Sequence, residues 1–204
     1  VSAAARAPRP APPAEAREQG AVRAASDLLR QAQRPVIVAG GGSTRAGAQL
    51  LRLAERFGAP VLTTLNGKGA LVEHHALSLG ANLRLAAARA VAEDADVLVV
   101  VGSKVGEAEL WAPRLEARGQ VVRIDVSAAQ LHRNLAATVG VVGDAAAVLD
   151  HLLDGTPADR RLRPVPDLSG VRAAIDAERR GTLPATVALA ETIAAALPDD
   201  AIVA

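Results

Sequence analysis

The sequence predicts an α/β fold, a parallel sheet wound on both faces by helices, and three observations carry that expectation. Short unbroken apolar runs recur, the clearest being Val97-Leu98-Val99-Val100-Val101, and such runs suit strands buried on both faces. Between them lie segments whose apolar residues repeat at helical spacing. Glycine-bearing turns follow the strands, at Gly40-Gly41-Gly42, at Gly102 and at Gly143. Strand, glycine turn and helix make half of a parallel βαβ unit, and repeating that unit gives a doubly wound sheet.

The elements follow in order. Residues 1–14 are mostly Ala, Pro and Arg, which bury too little to order themselves, and they read as a linker or tail. Val22, Ala25, Leu29 and Ala32 share one helical face between Glu18 and Gln33, and Pro35 stops that helix. Val36 to Ala39 form the first strand. After the three glycines, Ser43 or Thr44 can cap a helix whose apolar positions are Ala46, Leu50, Leu53, Ala54 and Phe57, and Gly58 suits the left-handed residue that ends it. Pro60 to Thr64 is a second strand, Leu65 to Ala70 a loop, and Leu77 to Gly80 a short extended piece. Asn82 can cap a helix running to Glu93. The strand at Val97–Val101 is followed by strands at Gln120–Asp125 and Thr138–Val142, with a short helix after Ser127 between the last two. Asp144 then caps a helix with Val148, Leu149, Leu152 and Leu153 inside.

Residues 155–167, with Pro157, Pro164 and Pro166, read as a second linker. A helix is expected over 168–180, and another from Pro184 with Val187, Ala190, Ile193, Ala194 and Leu197 on one face. Pro198-Asp199-Asp200 breaks it, and Ala201-Ile202-Val203 begins a strand that has no following partner. With the absence of any Met, this suggests a piece of a longer protein. The expected division is 1–14 tail, 15–154 sheet domain, 155–167 linker and 168–204 helical extension.

Composition excludes several classes. A net charge of +1 over 204 residues gives no electrostatic case for nucleic acid, and one Trp, one Phe and no Tyr supply no platform for stacking bases. Absence of Cys removes disulfides, thiol catalysis and thiolate-bound zinc. No apolar run is long enough for a membrane span and no signal peptide is visible, so a cytoplasmic location is expected. The adjacent His74 and His75 lack a second cluster of ligands and read as loop surface, so no metal site is assigned. Lys68 and Asp199-Asp200 read as loop and turn residues, and Trp111 as an interface or core residue.

The glycine turn invites a dinucleotide, but the pattern is wrong for the usual one. Gly40 and Gly42 fit the first and third positions, Arg45 stands at the sixth, and the second strand ends in Thr63-Thr64 with no acid for a ribose. No Walker A sequence is present. What the turns do share is placement: each lies at the carboxyl end of a strand, where open α/β sheets bind ligands.

Five segments in succession resemble the central domain of thiamine-diphosphate-dependent enzymes, the family of acetolactate synthase, benzoylformate decarboxylase and oxalyl-CoA decarboxylase. They are Arg34-Pro-Val-Ile-Val-Ala-Gly-Gly-Gly, Gly58-Ala-Pro-Val-Leu-Thr-Thr-Leu-Asn-Gly-Lys-Gly-Ala, Asp94-Ala-Asp-Val-Leu-Val-Val-Val-Gly, Val122-Arg-Ile-Asp-Val-Ser and Val141-Val-Gly-Asp-Ala. The resemblance spans about residues 33 to 153. It implies a six-stranded, Rossmann-like sheet between an N-terminal domain that activates thiamine diphosphate and a C-terminal one that holds the diphosphate and Mg2+. Neither of those domains' motifs occurs here, so no catalytic residue is assigned and the piece alone is expected to be inert. Residues 168–204 resemble the lead-in to the C-terminal domain. The resemblance also implies own flanking domains as partners and a homodimer or homotetramer in the full enzyme, with this piece alone monomeric or weakly dimeric.

In that family the central domain holds FAD in some members, ADP or a CoA moiety in others, and nothing in many. The contacts implied here are Gly40, Gly41 and Gly42, then Thr64, Leu65 and Asn66, then Gly102, Ser103 and Lys104, then Asp125, Val126, Gly143 and Asp144. Lys104-Val105 departs from the Arg-aromatic pair of flavin-binding members, and Lys cannot make the planar bidentate contact of Arg. ADP or CoA and an empty crevice therefore rank ahead of FAD. The alternatives to the enzyme domain are a stand-alone adenine-nucleotide module and a purely structural spacer.

Overall fold

The structure, a computed structural model, describes residues 14–154, 162–198 and 201. Residues 1–13 of the expected tail, 155–161 of the expected linker, Asp199-Asp200 and the strand residues Ile202-Val203 lie outside the described residues. The elements are α1 (Ala14–Gln31), β1 (Pro35–Ala39), α2 (Gly47–Phe57), β2 (Val61–Thr63), α3 (Ala86–Glu93), β3 (Val97–Val101) and α4 (Glu107–Leu110). They continue with β4 (Gln120–Asp125), β5 (Val139–Val142), α5 (Ala145–Leu153), α6 (Ser169–Thr182) and α7 (Pro184–Ala196).

All strand pairs are parallel, in the order β2-β1-β3-β4-β5. The expectation of six strands needs correction, since the described sheet has five. Leu77–Gly80 does run beside β2: the Leu77 carbonyl accepts from Val61 N at 2.8 Å and Leu79 N donates to the Val61 carbonyl at 2.9 Å. Thr63 N also donates to the Gly80 carbonyl at 3.0 Å, yet the segment forms a single isolated bridge, Val61 with Ser78, and so is not a sixth strand of the sheet.

Alternation along the strands sends residues to two cores. Ile37, Ala39, Val97, Val99 and Val101 face α1, α2 and α5, where Leu29, Leu50, Leu53, Phe57 and Leu149 are buried. Val36, Val38, Leu98 and Val100 face α3 and α6, with Ala88, Ala92, Leu168 and Ile175. Period-two side chains in strands covered on both faces are what make the runs uniformly apolar.

Three local expectations shift. Ser43 and Thr44 cap no helix: their hydroxyls donate to the carbonyls of Gly40 at 2.7 Å and Gly41 at 3.0 Å, closing a 3-10 turn over Gly41–Ser43. The helix α2 begins only at Gly47. Asn82 donates to the Leu79 carbonyl instead of capping α3; the N–H groups of Ala86 and Ala87 are met by the Glu178 carboxylate of α6, at 2.7 and 2.9 Å. The segment after Ser127 is a 3-10 turn, Ala128–Gln130. Gly58 ends α2 in the left-handed region at φ 60°, and Asp144 caps α5 by accepting from Ala146 N and Ala147 N, both as expected.

The helix α6 packs on the sheet domain. Its Arg172 donates to the carbonyls of Ala76 and Ser78, and Ile175 is buried. In contrast α7 buries only Val187, leaving Leu189 and Ile193 exposed, and is tied to α6 through Arg180 and Glu191. No described helix is long and apolar enough to cross a membrane.

Candidate functional site

Strand order reverses between β1 and β3, and parallel strands bring all their carboxyl ends to one edge there. The residues singled out from sequence all sit on that edge. Gly40, Gly41 and Gly42 follow β1, Thr64, Leu65 and Asn66 follow β2, Gly102, Ser103 and Lys104 follow β3, Asp125 ends β4 with Val126 next, and Gly143 and Asp144 follow β5.

The glycines there serve close approach between turns. A Cβ on Gly40 would lie 2.3 Å from the Gly102 carbonyl oxygen, and one on Gly42 would lie 2.8 Å from Gly102 Cα. Gly67, just beyond Asn66, has the Ala39 carbonyl oxygen 2.1 Å from where its Cβ would be. The backbone is bonded accordingly: Gly40 N donates to the Val101 carbonyl at 2.8 Å and Gly42 N to the Gly102 carbonyl at 3.0 Å.

The polar side chains are mostly engaged within the chain. Ser103 Oγ donates to Glu109 Oε2 at 3.1 Å and accepts from Val105 N at 3.0 Å. Val105 itself takes φ 47° while 1% exposed, an uncommon conformation for a β-branched residue. Asp125 Oδ1 accepts from Ser127 N at 2.9 Å, and its carbonyl accepts from Gly143 N at 3.0 Å. Asp144 is engaged as the helix cap. Thr64 Oγ1 accepts from Gly67 N at 3.1 Å. Gly41, Leu65, Asn66, Lys104 and Val126 are exposed, and Asp125 is half-buried.

The residue that sequence reasoning passed over is Arg123. It stands in the middle of β4, 1% exposed, and donates to three carbonyls: Arg133 at 2.7 Å, Leu135 at 2.8 Å and Ser103 at 2.6 Å. Burial lowers the proton affinity of its guanidinium, and the carboxylates of Asp125 and Glu109 act in the opposite sense. It fixes the turn after β3 to the segment before β5. The available signal was a cation inside an apolar strand, Val121-Val122-Arg123-Ile124.

Other residues resolve simply. Lys68 pairs with Glu73 at 2.5 Å, and His75 accepts from Leu77 N through Nδ1 with Nε2 3.4 Å from Glu55. No group of three or more metal-ligating side chains occurs among the described residues. Trp111 is 65% exposed, with the Arg84 guanidinium 5.5 Å from its ring centre, so it is no core residue. It borders a cavity of about 260 Å3 with Thr64, Leu65 and Arg84.

Comparison with known proteins adds what this geometry alone leaves open. The family model described as thiamine pyrophosphate enzyme, central domain, matches residues 22–152. A probable 2-ketoarginine decarboxylase of Pseudomonas aeruginosa is 34% identical over 185 residues, covering 90% of this chain and 33% of that protein. A probable acetolactate synthase large subunit of Methanocaldococcus jannaschii is 38% identical over 141 residues, covering 65% of this chain and 23% of its own. The acetolactate synthase large subunit of Parasynechococcus marenigrum is 38% identical over 155 residues, covering 72% and 24%. The chain thus spans between about a quarter and a third of the length of these relatives. With five parallel strands inside the matched span and the matched segments in the family's order, the chain belongs to the family of thiamine pyrophosphate enzyme central domains.

Proposed function

We propose that the chain is the middle part of a larger thiamine-diphosphate- and Mg2+-dependent enzyme acting on 2-oxo acids, as a carboligase or decarboxylase, with the catalytic machinery in flanking domains. The carrying observation is the family match over 22–152 beside relatives about three times as long, named as acetolactate synthases and a 2-ketoarginine decarboxylase. In this reading 15–154 is the central domain, 155–167 a linker and 168–204 the lead-in to the next domain. The exposed apolar residues Leu189 and Ile193 of α7 support the last assignment, since an uncovered apolar helix face calls for a neighbour. The full protein would be a cytoplasmic homodimer or homotetramer built by its flanking domains.

Whether the carboxyl edge takes ADP, CoA or FAD turns on what its residues have free. Lys104 is exposed and pairs with no carboxylate among the described residues, so it can meet a phosphate, and half-buried Asp125 can meet a ribose hydroxyl. Gly40 N and Gly42 N already have acceptors, and α2 starts at Gly47, away from the glycine turn. The fit to a pyrophosphate is therefore partial, and an empty structural crevice is the companion reading.

Two measurements test the assignment. The reading frame is expected to continue on both sides of the 204 residues, and the full-length product to consume 2-oxo acids with thiamine diphosphate and Mg2+. A frame confined to these residues, or saturable binding of thiamine diphosphate with Mg2+ to this chain by calorimetry, would overturn it. Titration with ADP, CoA and FAD decides the crevice, with Lys104→Ala expected to abolish any phosphate-dependent binding.

A further inference from the structure

The opposite, amino edge of the sheet carries a cavity that the domain assignment does not use. It has a volume of about 670 Å3, within the range typical of small-molecule sites. Val36 and Pro60 at the strand starts, Phe57 at the end of α2, Ala90 and Val91 of α3 and Val171 of α6 give it an apolar lining. The segment 162–167 closes one side. Leu162 N donates to the Arg56 carbonyl at 2.8 Å, and the Pro164 carbonyl oxygen lies 2.3 Å from where a Cβ on Gly58 would sit.

Three charged residues also line it: Asp94, Arg34 and Arg163. Asp94 is ion-paired with Arg118. Arg163 donates from Nη1 to Gln33 Oε1 and from Nη2 to the Arg30 carbonyl, both at 3.2 Å and both neutral acceptors. Its Nε is buried and has no acceptor among the described residues. The backbone N–H of Arg34 is held by Asp96 at 2.9 Å, while its guanidinium has no carboxylate partner among the described residues. A buried donor with no acceptor is uncommon in folded chains. A carboxylate, which carries a full negative charge and accepts at both oxygens, is the best-matched partner of a guanidinium group.

We propose that this cavity binds a small carboxylate with an apolar body, the carboxylate on Arg163 with Arg34 beside it and the body against Phe57, Val91 and Val171. The pairing follows from the lining: two arginines without carboxylate partners among the described residues, one carboxylate, Asp94, already paired with Arg118, and a mainly apolar remainder. A bare inorganic anion would leave that apolar surface wet, and a neutral apolar molecule would leave Arg34 and Arg163 without an anionic partner. The site is on the opposite edge from the crevice described above and stands or falls independently of the proposed enzyme.

The test is calorimetric titration of the 204-residue chain with 4-phenylbutyrate, 4-phenylbutanol and inorganic phosphate. The acid is expected to bind saturably and about tenfold or more tighter than the alcohol, the difference a charge-assisted hydrogen bond makes. Phosphate is expected to give no saturable heat. Arg163→Gln should erase the preference for the acid over the alcohol. Ala90→Phe should abolish binding of both by filling the cavity; Ala90 is exposed on α3, so this variant keeps its melting temperature. No saturable binding of the acid, equal binding of acid and alcohol, phosphate binding as tightly as the acid, or acid binding unchanged in either variant would each overturn the proposal.

Discussion

At the carboxyl edge of the sheet the loops pack on one another through glycine, and most polar side chains there already have partners inside the chain. At the amino edge a cavity stays open between α3 and the 162–167 segment, with Arg34 and Arg163 in its lining. Four prolines border that edge, Pro35, Pro60, Pro164 and Pro166, and proline has no N–H that would need an acceptor. The contrast teaches how to read a glycine at a strand end. It signals that something comes close to the backbone, and at Gly40, Gly42 and Gly67 that something is another stretch of the same chain.

Breaking the carboxyl edge at its support should give the largest effect. Arg123→Ala leaves three carbonyls without their donor and empties a fully buried volume. A loss of about 3–5 kcal/mol in urea-unfolding stability is expected. A loss below about 1 kcal/mol would show that water or a neighbour replaces the guanidinium.

Gly40→Ala comes next, because its methyl group meets backbone, which cannot swing aside as a side chain can. The expected loss is about 1–3 kcal/mol in the same measurement. An unchanged midpoint would mean that the turns separate easily, which would reopen the crevice to a ligand.

The amino-edge counterpart is Gly58→Ala. It combines a left-handed φ of 60° with a Cβ directed at the Pro164 carbonyl. The backbone conformation alone is worth about 1–2 kcal/mol, and the 162–167 segment can yield where the carboxyl-edge turns cannot. The loss should therefore be smaller than for Gly40→Ala, with faster hydrogen exchange at Leu162 N as its local signature. A larger loss than for Gly40→Ala would reverse the comparison of the two edges.

Asp144→Ala should lower stability by about 1 kcal/mol as a lost helix cap. If ADP binds the chain, an equal affinity in this variant would confine Asp144 to capping.

The smallest effect concerns pH. The N–H groups of Ala87 and Ala86 hold the Glu178 carboxyl below its ordinary range. A depressed folded-state pKa stabilises above the unfolded value, about 4.3 for Glu, and that contribution is lost as pH falls through the folded value. Hydrogen exchange at Ala86 and Ala87 should therefore quicken on acidification below about pH 4, and Glu178→Gln should flatten that dependence. Exchange insensitive to pH after correction for its intrinsic rate would show that α6 docks without this cap.

The sequence by itself determined the class and the order of elements. Uniformly apolar runs separated by amphipathic helices leave a covered parallel sheet as the arrangement that buries both, and turns at the strand ends must then fall on one edge. It also placed Gly58 and Asp144 correctly, because a left-handed terminus and a capping carboxylate are local devices that involve only neighbouring residues. The tertiary structure alone decided the rest. Leu77–Gly80 reads as extended, but only the fold shows that it meets β2 through a single bridge and forms no full strand. Asn82 has the chemistry of a cap, yet Glu178 from 92 residues away reaches Ala86 first. Arg123 is visible as a charge in an apolar strand, but only the fold brings three carbonyls around it. The amino-edge cavity is lined from β1, α2, α3, α6 and the 162–167 segment, and no local pattern marks residues that meet only when the sheet is covered.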